Sequence, residues 1–138
     1  MPTPSESPVS EAMLVANQAR WSASAIDRYR YRFRWECFCG HDEVRTVDIT
    51  VARGTIVSVV DVETGQRLDA QAASRYRTIE GLFEFVRGAI DYPAVSVNGA
   101  FDPDLGIPWS AHVDYVANIA DEEKGFRIFA LTRFPGLL

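Results

Sequence analysis

Three groups of residues in this chain of 138 have types and spacings that could carry chemistry. The first is Cys37, Cys39 and His41, side chains of the kind zinc accepts. Two cysteines one residue apart match none of the common zinc spacings, and a fourth ligand would have to be His112 or a carboxylate. The same cysteines could be joined to each other. Two residues along a strand separate Cα atoms by about 6.6 Å, at the upper edge of what a disulfide spans, so the bond needs a bend, which Gly40 permits. A disulfide, two reduced thiols and a metal site all stay open, because one pair of cysteines carries little spacing information.

The second group is Ser110, His112 and Asp114 in WSAHVDY, a serine-histidine-acid set on one face of a strand. A single strand spaces them about 6.6 Å apart, beyond hydrogen-bond reach, and the serine lacks the sharp turn that exposes a nucleophile. The polar outer face of a sheet explains them as well. The third group is acidic: Asp102 and Asp104 in FDPDLGIP, and Asp121, Glu122 and Glu123 in IADEEKG. Calcium takes such oxygen ligands, but neither loop has the spacing of a calcium loop, and Asp, Pro and Gly in this order are ordinary turn formers. No glycine-rich phosphate loop or HExxH helix is present, so the motifs do not point to an enzyme.

These groups hang on elements that the pattern defines. In DRYRYRFRWECFC the rings Tyr29, Tyr31, Phe33 and Trp35 alternate with Arg28, Arg30, Arg32 and Arg34, and alternation means a strand. Rings then share one face and cations the other. A platform for single-stranded nucleic acid sets both around one groove. Here the rings make the natural core face, and the arginines form a solvated row that acids such as Asp48 can meet across the sheet. Ser10 is positioned to cap a helix that ends near Ile26. Two further strands, near Val44 to Val51 and Thr55 to Val62, join through Arg53-Gly54 as a tight hairpin. Thr78 can cap a second helix, whose Ile79, Leu82, Phe83, Val86 and Ile90 recur at helical spacing. Its Phe83 and Val86 are expected against the ring row, with Trp35 among their neighbours. Three strands follow, near Ala94 to Phe101, Trp109 to Ala117 and Phe126 to Arg133. The expected class is α+β in the order α-βββ-α-βββ: two similar halves forming a curved antiparallel sheet with the helices on its apolar face.

Composition sets the outer bounds. The hydrophobic share of 47% and charged share of 24% are those of a globular protein, and no run nears the roughly 20 apolar residues of a membrane span. A net charge of -5 works against nucleic acid and anionic lipid as partners. The opening MPTPSESPVS, with three prolines and three serines, predicts a flexible leader over residues 1–9 and one domain over 10–138. It has neither a basic n-region nor an apolar h-region, so it is not itself a signal peptide.

The chain resembles a bacterial family of small domains of unknown function, many of them lipoproteins or exported proteins. The resemblance rests on Trp21 ahead of YRYRFRWECFC, on VARGTIVSVVDVETG, TIEGLFEFV, FDPDLGIP and VDYVANIADEE, and it covers Trp21 to about Arg133. No lipobox cysteine or signal sequence stands at the front. The resemblance carries no activity; it implies export, and with export a disulfide between Cys37 and Cys39. The resulting expectation is a monomeric, non-enzymatic module of the cell envelope, without cofactor, that binds a protein or small ligand. Asp102, Asp104, His112, Asp114, Asp121 and Glu122 are its candidate binding residues. The alternative is a metal-binding protein, with zinc on Cys37, Cys39 and His41 or calcium in the acidic loops.

Overall fold

Alternating rings and arginines build a ten-residue strand, and everything else is arranged around it. The computed structural model describes residues 5–37, 44–91, 96–114 and 123–134. In chain order the elements are β1 (Ser7–Pro8), α1 (Glu11–Ser24), β2 (Arg28–Cys37), β3 (Thr46–Ala52), β4 (Thr55–Asp61), α2 (Ala70–Ala73), α3 (Ile79–Asp91), β5 (Ser96–Phe101), β6 (Pro108–Asp114) and β7 (Glu123–Arg133). The strands form one open antiparallel sheet in the order β1-β5-β6-β7-β2-β3-β4.

This corrects the expected α+β class and its α-βββ-α-βββ order. Among the described residues the protein is mainly an antiparallel sheet of seven strands with few, short helices. Two elements were missed for physical reasons. The strand β1 is two residues long and contains a proline, so it shows no alternation. The helix α2 is a single turn held by the Asp69 carboxylate, which accepts from the Ala72 amide at 2.8 Å. Residues expected in a flexible leader therefore lie on the sheet edge: Ser7 pairs with Gly99 and Pro8 with Asn98.

The sheet has one dry face. Tyr29, Tyr31, Phe33 and Trp35 of β2 are buried together with Val47, Ile49 and Val51 of β3, Ala111 of β6 and Phe126 of β7. Leu14 and Trp21 of α1 and Ile79, Leu82, Phe83 and Val86 of α3 belong to the same core. The helix ends follow the sequence chemistry. Ser10 Oγ accepts from the Met13 amide at 3.1 Å, and Thr78 Oγ1 from the Gly81 amide at 3.1 Å. One neighbour differs from expectation: Phe83 stacks on Phe101, and the α3 ring against Trp35 is Phe85. Between β3 and β4, Arg53 and Gly54 have φ of 55° and 75°, the left-handed pair that a two-residue hairpin needs for its strands to twist together.

Candidate functional site

The opposite face of the sheet is polar, and register decides what meets there. On β6, Ser110, His112 and Asp114 point away from the core that takes Ala111 and Val113. Across the sheet His112 lies opposite Gly125 of β7, which lies opposite Glu36 of β2. Gly125 has no side chain, and any Cβ there would overlap the His112 ring. The imidazole therefore reaches across β7, and its Nε2 stands 2.7 Å from Glu36 Oε1.

The other ring nitrogen, Nδ1, is 2.7 Å from Glu6 Oε2, and Ser110 Oγ donates to that same oxygen at 2.7 Å. Carboxylate oxygens only accept, so both ring nitrogens are satisfied together only when the ring carries two protons. Glu36 is gripped from its other side by Arg34, at 2.6 Å, and has Arg127 at 3.6 Å. Burial pushes the Glu36 carboxyl up. The hydrogen bonds from Arg34 and His112 and the charges of Arg127 and Arg34 outweigh it and hold the group below its ordinary range. The result is a chain of contacts, Ser110–Glu6–His112–Glu36–Arg34, laid across three strands and the segment leading into β1.

Beside it is a cavity of about 410 Å³ lined by Glu36, Cys37, Ser96, Asn98, His112, Val113, Asp114 and Lys124. Asp114 Oδ1 is buried there without a hydrogen-bond partner among the described residues.

The candidates from the sequence separate accordingly. His112 and Asp114 come to the cavity. Ser110, His112 and Asp114 share a face, but they do not form a nucleophile, base and acid: the Ser110 hydroxyl is spent on Glu6, and its side chain is almost wholly buried. Asp102 and Asp104 lie on the β5–β6 connection. Asp102 Oδ2 accepts from the amides of Asp104 at 3.0 Å and Leu105 at 2.6 Å, which is turn chemistry. Asp121, Glu122, Cys39 and His41 lie outside the described residues, so neither the zinc set nor the second acidic loop is placed. Among the described residues no group of three or more metal-ligating side chains gathers, and no helix is long and apolar enough to cross a membrane.

The arginine row behaves as sheet chemistry. Arg32 grips Asp48, its register partner, through two bonds of 2.9 and 3.1 Å. Arg30 lies over Phe134, and Arg34 over Phe129.

Glu6, Glu36, Arg127 and Gly125 were missed. Glu36 carried a signal, since it continues the arginine side of the alternation. Glu6 carried none, sitting in a stretch whose composition reads as disorder.

No curated protein and no solved structure matches the chain. A family model matches residues 13–133, a span that includes Glu36, Ser110, His112 and Gly125 and leaves out Glu6. The chain thus belongs to a family of unknown function, DUF6174.

Proposed function

We propose that this protein is a non-enzymatic binding module of the bacterial cell envelope, presenting the polar face of its sheet to a protein or small ligand. The carrying observation is the contact chain Ser110–Glu6–His112–Glu36–Arg34 beside a cavity of about 410 Å³. Side chains that fix one another keep their geometry when a ligand arrives, which lowers the entropic cost of binding. The same bonds work against catalysis, because the Ser110 hydroxyl donates to the Glu6 carboxylate and not to the imidazole that would have to take its proton. Export is supported by the cysteines. Among the described residues none is a free thiol, and a Cys37–Cys39 bond would brace the end of β2 where Cys37 borders the cavity.

A fragment titration followed by backbone NMR tests the reading. Binders are expected to shift the amides of Asn98, His112 and Asp114, and the shifts should vanish in His112→Ala. Substrate turnover abolished by His112→Ala would overturn the non-enzymatic reading. Two alkylated cysteines in protein matured in an oxidising compartment would overturn the disulfide, and with it the support that the cysteines lend to export.

A further inference from the structure

We infer that the edge of β5, together with the Ser110 hydroxyl and the His112 Nδ1–H, is a docking site for an extended acidic segment of a partner protein. In this structure the chain's own residues 6–9 occupy it. The inference rests on the reading of the polar face as a binding surface and names the partner's chemistry.

The seat is built without its occupant. The His112 ring is held from behind by Glu36, which Arg34 holds in turn, and it lies in the space Gly125 leaves. Ser110 sits on the same strand two residues away. Two donors thus converge on one carboxylate oxygen of Glu6, each at 2.7 Å. Paired donors of this kind bind a carboxylate oxygen more strongly than the oxygen of a neutral amide, because a charged acceptor strengthens each bond.

The occupant is held lightly. Its strand is two residues long, one of them a proline that has no N–H to donate, and Ser5 to Pro8 are all exposed. Beyond the two register pairs, the backbone anchor is the Val9 amide on the Val97 carbonyl at 2.9 Å. Val9 packs partly buried against the core at the end of the segment, so what holds the exposed Ser5 to Pro8 is the carboxylate contact and the two register pairs. Lifting it would expose the backbone groups of Val97 to Gly99 on an edge strand, a template on which another extended segment can add. Residues 6–9 therefore show what fits: an extended stretch with a carboxylate two residues ahead of the position facing Asn98.

The test uses the full chain carrying Glu6→Ala and a fluorescent peptide of residues 4–10, PSESPVS, with its glutamine counterpart PSQSPVS as control. Anisotropy should show the glutamate peptide binding Glu6→Ala at least tenfold tighter than wild type, where the resident carboxylate competes. It should also bind at least tenfold tighter than the glutamine peptide. Ser110→Ala and His112→Ala, each placed on the Glu6→Ala chain and checked for cooperative unfolding, should both lose that preference. If one variant fails to fold, the other decides. Equal binding of the two peptides, or no binding, would overturn the inference. If small fragments still shift Asn98 and His112, the proposed function stands without it. Conversion of the wild-type chain to a dimer through exchanged N-terminal strands would assign the edge to a second copy and overturn the partner reading.

Discussion

The two faces of β2 are made by the same ten residues, and they do opposite things with their polar groups. On the ring face the polar atoms of the rings are handed to the segment that leads into α3 and to its first turn. Trp35 Nε1 donates to the Arg75 carbonyl at 3.0 Å, and the Tyr31 hydroxyl donates to the Arg77 carbonyl. The Tyr29 hydroxyl accepts from the Ile79 amide at 2.9 Å and approaches Glu80, which also takes the Trp21 indole N–H at 2.6 Å. Burial drives both tyrosine hydroxyls far above their ordinary range, so they serve as fixed donors and acceptors and not as acids. On the other face Arg32, Arg34 and Glu36 spend their bonds on neighbouring strands and on the His112 cluster. One face anchors a helix, while the other holds polar side chains at a surface. The difference teaches that alternation assigns both stability and recognition to one strand, residue by residue.

That comparison can be broken most readily at Phe33. It is fully buried and packs against the rings of Tyr31, Trp35, Tyr76 and Phe126. Phe33→Ala should lower unfolding free energy by about 3–5 kcal/mol in denaturant titration. A loss below about 1 kcal/mol would mean that the ring face does not carry the fold.

A middle-sized effect is expected at Gly125, where the polar face depends on empty space. Gly125→Ala puts a methyl into the His112 ring and 2.5 Å from the Ala111 carbonyl. The ring must swing away from Glu36, at a cost of about 1–3 kcal/mol. The accompanying loss of the imidazole–carboxylate contact should show in the ring resonances of His112. An unmoved ring would show that the glycine is not what lets His112 cross β7.

The smallest effect belongs to Glu36→Gln, below about 1 kcal/mol at neutral pH because the pairs of Glu36 are partly open to solvent, which screens them. Its signature lies in acid. The folded protein holds the Glu36 carboxyl below its ordinary range, so on acidification the unfolded chain takes up that proton first. The contribution is complete above the unfolded value and is lost as pH falls through the folded one. Wild type should thus lose stability more steeply on acidification than Glu36→Gln; parallel curves would remove Glu36 from the account.

The sequence disclosed features whose signal is local and periodic. The ring-and-arginine strand, the Ser10 cap, the Arg53-Gly54 hairpin and the apolar stripe of α3 all follow from spacing alone, and Asp48 as an acid facing the arginine row follows from it too, though register chose Arg32 as its partner. What it hid was set by register between distant segments. Glu6 and His112 meet because a two-residue strand adds to β5, and no pattern in SESP announces that. Periodicity also fails inside β7, where Phe33 pairs with Ile128 and Arg32 with Ala130, leaving Phe129 as the extra residue of a bulge. Beyond it the parity of the strand reverses. Phe129 lies half exposed beneath Arg34, and past it Ala130 is exposed while Leu131 packs against the core, the reverse of what alternation carried on from Phe126 assigns.

The strand order also bears on how the molecule comes together in time. Two three-stranded meanders, β2-β3-β4 and β5-β6-β7, meet along a single seam between β2 and β7. Pairs inside each meander close over the connections between successive strands. The seam joins the first strand of one meander to the last of the other, and its pairing of Trp35 with Phe126 spans about 90 residues. Contacts of such long separation are the slow ones, because the entropy of closing the loop is lost before the contact stabilises anything. The core rings Trp35 and Phe126 lie on that seam, so the core is completed only when both ends of the described chain have arrived.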